Sequence, residues 1–137
     1  PLLMDDGRKC HIKFYMLLLC MEDGVTWNLY TYKDGFLSIS PNKWSPEDIS
    51  TDTQVTIIRS ERISDTQGWA AWPDAYPKCQ AAVAKILNKA VQDRKLEGRP
   101  GQKQFEILSA DFIVDTHGRV WLFEFNLIPV LRDESYS

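Results

Sequence analysis

Residues 104–126 (QFEILSADFIVDTHGRVWLFEFN) constrain the fold of this chain more than any other stretch. Two runs of apolar, β-branched and aromatic residues, 104–115 and 119–126, flank Thr116-His117-Gly118 and predict a β-hairpin. A tight turn centred on His117-Gly118 pairs Thr116 with Arg119. Continued along the strands, that register sets Asp111 opposite Glu124 and Ser109 opposite Asn126. Side chains alternate between faces along a strand, so these four project from one face. Phe112, Ile113, Trp121, Leu122, Phe123 and Phe125 are apolar enough to place the hairpin inside a sheet.

Two carboxylates held directly opposite one another repel, so a cation has to compensate them or water has to screen them. A magnesium ion suits the first case, because it takes oxygen ligands and commonly uses one or two carboxylates together with substrate phosphates. Asp111, Glu124 and Asn126 offer two carboxylates and an amide oxygen on a rigid scaffold. In the second case Asp111 and Glu124 face solvent and do no more than solubilise the hairpin.

The rest of the chain supplies partners for that hairpin. Residues 11–20 (HIKFYMLLLC) predict a strand covered on both faces. Residues 25–33 predict another, with Asp34-Gly35 as a hairpin signal into a short strand at 36–40. Ser45-Pro46-Glu47-Asp48 suits the start of a short helix capped by Ser45, and 54–59 (QVTIIR) suits a further short strand. Residues 60–76 show no periodicity and are expected to form an irregular loop pinned by Trp69 and Trp72. One clear helix is expected over about 77–94. Pro77 falls in its first turn, and Ala82/Val83, Ile86/Leu87 and Ala90/Val91 form its apolar stripe. Gly98, Pro100 and Gly101 end it. The fold class is therefore α+β, a mainly antiparallel sheet with one long helix packed on it.

With 137 residues, 44% of them hydrophobic, the chain is sized for one domain with a real core. A net charge of −3 gives no basic footprint for nucleic acid. An anionic ligand would therefore need local cations such as Arg8, Lys9 and Lys13. Cys10, Cys20 and Cys79 are widely spaced and suit buried, reduced thiols rather than a zinc site. The apolar run Phe14–Cys20 is too short to span a bilayer, and neither a membrane nor a nucleic acid is expected as a partner. The chain starts at Pro1 with a strand close behind, as a piece of a longer polypeptide would.

Against that background the hairpin resembles the closing hairpin of the tubulin–tyrosine ligase family. That hairpin runs as a Phe-Asp-Phe strand, a short turn, and Val-Trp-Leu-x-Glu-x-Asn followed by a proline. Ala110-Asp111-Phe112, Val120 to Asn126, and Pro129 match it. Gly7-Arg8-Lys9-Cys10-His11-Ile12-Lys13 is similar to the family's Gly-Arg-Lys-x-Asp-Ile-Arg opening. Leu29 to Leu37 resembles its Tyr-Arg-Glu-Gly stretch. The resemblance covers most of the chain, thinly over 41–103.

The resemblance implies that residues 1–137 are the C-terminal portion of an ATP-grasp catalytic domain, whose N-terminal lobe would precede them. It implies ATP and Mg2+ as cofactors, with Asp111, Glu124 and Asn126 holding the metal and Asn126 also serving the nucleotide. Lys9 would contact phosphate, and Lys13 would act as the catalytic cation near the γ-phosphate. The implied activity is a carboxylate–amine ligase that joins an amino acid to a protein acceptor such as tubulin. The implied setting is the cytoplasm, in association with the cytoskeleton or a cilium or flagellum. The isolated chain is expected to be inactive and to expose an apolar surface where the other lobe packs.

Several positions depart from the family pattern. His11 replaces an Asp. Lys13 replaces an Arg and keeps a point charge without the planar fork. Ser38 stands where tubulin–tyrosine ligase has an Arg that holds the amino acid. Thr56-Ile57-Ile58-Arg59 replaces His-Leu-Thr-Asn, and Leu127 follows the metal Asn where a small residue is preferred. These departures also suit a ligase-like domain that binds nucleotide as a scaffold or regulator, or a structural module that binds none.

Overall fold

Strand β1 (Arg8–Cys20) sits at the centre of a five-stranded sheet. On one side it pairs with β2 (Trp27–Lys43), which carries the short edge strand β3 (Glu61–Ile63). On the other side it pairs with β4 (Gln104–Val114), which pairs in turn with β5 (Val120–Asn126). The order is β3-β2-β1-β4-β5 and every pairing is antiparallel. A short helix α1 (Thr51–Gln54), a 3₁₀ turn at Thr66–Gly68 and the long helix α2 (Trp72–Gln92) are the other elements among the described residues. The computed structural model describes residues 4, 6–56, 61–63 and 66–127. Residues 57–59 of the strand expected at 54–59 and the matched Pro129 lie outside the described residues.

One face of the sheet packs on α2. It is built from Cys10, Ile12, Phe14, Met16 and Leu18 of β1, Leu37 and Ile39 of β2, and Leu108, Ala110, Phe112 and Val114 of β4. Trp72, Ala75, Cys79 and Val83 answer from the helix, at the spacing that lines up one helical face. Phe14 is fully buried, with ring centroids of Tyr76, Phe112 and Trp72 at 5.7, 6.0 and 6.5 Å. Burial of each such large side chain contributes about 1.5–3 kcal/mol relative to exposure, so this face carries most of the stability.

Tertiary packing moves some boundaries from their expected places. Helix α2 starts at Trp72 rather than 77, with Pro73 in its first turn and Pro77 inside it. The Trp72 ring docks against the sheet and its Nε1–H donates to the Lys33 carbonyl at 3.2 Å, which fixes the early start. The buried seam accordingly runs through 72, 75, 79 and 83, and Ile86 is exposed.

Asp34-Gly35 forms no hairpin. Residues 27–43 are one strand, and its register against β1 slips by two residues between Phe14↔Gly35 and Met16↔Thr31. A bulge accommodates the extra residues. A Cβ on Gly35 would stand 2.7 Å from the Lys13 carbonyl oxygen, so close strand approach explains the glycine. The helical turn after β2 forms at Thr51–Gln54, not from Ser45, so Gln54 lies in that turn rather than in a strand. Ser45 instead accepts the Glu47 N–H at 3.2 Å.

The β4–β5 turn is one residue longer than expected. The Asp115 N–H donates to the Arg119 carbonyl at 2.9 Å, and Gly118 takes φ +71°. That left-handed glycine closes a three-residue loop. A bulge at Phe123, between Phe112↔Leu122 and Asp111↔Glu124, then restores the expected pairing of the carboxylates.

Candidate functional site

The opposite face of the sheet is formed by the odd-numbered residues of β1 and their cross-strand partners. Register fixes its layout. Phe36, Lys13, Asp111 and Glu124 lie in one row across β2, β1, β4 and β5. Tyr15, Ser109 and Asn126 make the adjacent row. His11 pairs with Ser38 one step the other way. The expected oppositions of Asp111 with Glu124 and of Ser109 with Asn126 are therefore present, and all four residues share the face away from α2.

The row carries alternating charge. The Lys13 ammonium donates to both Asp111 carboxylate oxygens, at 2.7 and 3.1 Å. Asp111 is 2% exposed, whereas the Lys13 side chain keeps 20% exposure and Glu124 is open to solvent. The repulsion expected between Asp111 and Glu124 is thus met from the third strand, by a lysine 98 residues away in sequence. No local pattern in the sequence carries that pairing.

Lys9 projects from the same face but sits apart from this row. Four residues along a strand separate it from Lys13 by roughly 13 Å. Its Nζ donates to the Gln54 carbonyl at 3.0 Å, and its backbone N–H donates to Ser40 Oγ at 3.1 Å. His11 is buried, shares a short hydrogen bond with Thr56 Oγ1 and meets the Phe123 ring edge-on at 5.8 Å. Residues 9 and 11 therefore tie the segment around α1 to the centre of the sheet. Residue 13 alone of the three turns to the carboxylates. The His11–Thr56–Phe123 cluster was not legible in the sequence, and its one signal was the departure from the family at position 11.

The residues on this face fit a magnesium ion in donor type. Asp111 and Glu124 supply carboxylates and Asn126 an amide oxygen, as a hard cation requires. Ser109 Oγ is fully buried beside them and has no hydrogen-bond partner among the described residues, an orphaned polar atom in the row that pairs with Asn126. Among the described residues no three His, Cys, Asp or Glu side chains cluster as metal ligands, so the pair of carboxylates depends on the amide for a third protein oxygen.

Further along the same face the chemistry changes. Tyr15, Leu17, Tyr30, Tyr32, Phe36 and Ile107 line an open apolar groove, with Tyr30 and Tyr32 more than half exposed. The hairpin turn at the other end is held by Asp115. It accepts hydrogen bonds from Trp121 Nε1, Arg119 Nε and the His117 and Arg119 backbone N–H groups at 2.7–3.0 Å. These bonds, the Trp121 indole first, hold the Asp115 carboxyl well below the usual carboxylate range. All three cysteines are buried, and burial pushes the thiols of Cys10 and Cys79 up to about 11 and about 12.

Fold and face together define an α+β domain with a packed helix on one side of its sheet and an open, charged row on the other. The sequence model of the tubulin-tyrosine ligase family matches residues 56–136, more than half of the chain and all of the β4–β5 hairpin, and the chain belongs to that family. No curated protein matches the chain. The opening motif at residues 7–13 lies outside the matched span, so Lys9 and Lys13 rest on the resemblance and on their placement in the sheet.

Proposed function

We propose that the protein containing this chain is an ATP- and magnesium-dependent ligase that joins an amino acid to a protein acceptor, with tubulin the first acceptor to try. The observation that carries this is the row Lys13–Asp111–Glu124, with Asn126 beside it, on the open face of a sheet from this family. Asp111, Glu124 and Asn126 would hold the metal, which neutralises phosphate charge when bound. Lys13 stands beside them as the cation for the transferring phosphoryl group. Lys9 serves the phosphates only if it leaves the Gln54 carbonyl. The apolar groove around Tyr30 and Ile107 would seat a second lobe. Such a ligase would work in the cytoplasm, on the cytoskeleton or in a cilium or flagellum.

A second reading is favoured by one observation. Ser38, at the position of the family's amino-acid-holding Arg, is 2% exposed and paired with buried His11. A short buried hydroxyl supplies no cation to a substrate carboxylate, which suits a domain that binds nucleotide without ligating. Incubation of the full-length polypeptide with ATP, Mg2+, tubulin and each labelled amino acid separates the two. Label transferred to protein in an ATP-dependent way supports the ligase. Nucleotide binding with no transfer of any amino acid supports the scaffold.

A further inference from the structure

We infer that Lys13 is the resident counter-cation of the proposed metal site, and that its release from Asp111 admits the divalent ion. The inference rests on the reading of Asp111, Glu124 and Asn126 as the metal ligands and adds a regulatory step to it.

The Lys13 ammonium occupies both oxygens of Asp111. Asp111 is nearly sealed from solvent, so a cation reaching its carboxylate has to share it with that ammonium or displace it. Glu124, the other carboxylate, is exposed and its side chain makes no ion pair among the described residues. Half of the site is therefore open to a metal and half is locked. The lock is built to move. Lysine carries its charge on a flexible four-carbon stem, this head group keeps a partly exposed path to solvent, and its row neighbour on β2 is Phe36, which offers no competing anion. A phosphate arriving on the open face gives the ammonium an alternative partner and uncovers Asp111. Nucleotide and metal then favour each other's binding, and linkage makes that preference reciprocal. Arginine at this position would hold both oxygens through a planar fork and release them less readily.

The test is Mn2+ binding to the full-length polypeptide, followed by electron paramagnetic resonance without nucleotide. Wild type should bind Mn2+ alone weakly. Lys13→Met should bind it about 10- to 100-fold more tightly, the equivalent of one charge-assisted hydrogen bond removed from Asp111. Lys13→Arg should bind no more tightly than wild type. Lys85→Met removes the same charge from an exposed position on helix α2 and should leave Mn2+ binding unchanged. The gain in Lys13→Met should vanish when Glu124→Gln is added, which locates the ion on the hairpin. Lys13→Gln provides the same comparison should the methionine variant fail to fold. Tighter Mn2+ binding in neither Lys13 variant, with Glu124→Gln still abolishing Mn2+-dependent nucleotide binding, overturns the lock and leaves the site. A Glu124→Gln variant that binds Mn2+ and nucleotide as wild type does overturns the site and the lock together.

Discussion

The two faces of one sheet divide the work of this domain. Positions 10, 12, 14, 16 and 18 of β1 point into a dry interior closed by α2. Positions 9, 11 and 13 of the same strand point the other way and end in polar contacts with Gln54, Thr56 and Asp111. The first set is interchangeable in chemistry and fixed in volume. The second set is fixed in chemistry, because each head group meets a specific polar partner. A strand in the middle of a sheet thus carries stability and site chemistry on alternate residues, and substitutions one residue apart should fail in different ways.

The sharpest contrast is at Phe14. Phe14→Ala removes a fully buried ring from among Trp72, Tyr76 and Phe112. It should cost about 3–5 kcal/mol, measured as a lower urea midpoint with an unchanged slope. A loss below about 1 kcal/mol would mean that the helix face does not carry the fold.

On the other face Asp111→Asn should cost less, about 1–3 kcal/mol, because the partly exposed Lys13 head group can turn to water when its anion is lost. Circular dichroism should show a native fold, while Mg2+-dependent nucleotide binding is lost. Unfolding of this variant as severe as that of Phe14→Ala would erase the distinction between the faces.

Asp115 extends the comparison to pH. Its folded carboxyl is held below the unfolded value by the turn hydrogen bonds. A depressed carboxyl contributes stability that is fully present above the unfolded pKa of about 4 and is lost as pH falls through the folded value. Asp115→Asn should therefore flatten the acid limb of the stability profile below about pH 4. An acid limb unchanged in the variant would show that the turn network does not hold in solution.

The smallest expected effect is none at all. The buried thiols of Cys10 and Cys79, both raised by desolvation, and buried Cys20 should not react with a thiol reagent in native protein at neutral pH. All three should react in denaturant. Rapid modification of any one in the native state would show that the helix face is open.

Local pattern made the hairpin and its paired carboxylates legible, though by a route that the structure corrects. The turn was expected to pair Thr116 with Arg119. It instead closes Asp115 on Arg119, and the bulge at Phe123 returns the missing residue before Glu124. Two deviations of one residue cancel, because burial of one face tolerates only a register that keeps Asp111 and Glu124 together. The helix was legible in its middle but not at its start, since Trp72 is placed by the sheet rather than by helical periodicity. Asp34-Gly35 has hairpin chemistry and sits in a bulge. Its glycine answers to the Lys13 carbonyl on the neighbouring strand, which no local window contains. The pairing of Lys13 with Asp111 was beyond local reading for the same reason.

The central claim is that the open face, not the helix face, is the working one, and ATP binding by the full-length polypeptide tests it most directly. Binding should be measured with and without Mg2+, in wild type and in Glu124→Gln. Glu124 is exposed, so the variant should fold with stability within about 0.5 kcal/mol of wild type. The account predicts Mg2+-dependent ATP binding in wild type that is lost in the variant. Binding of equal strength in both, or in neither, would contradict it.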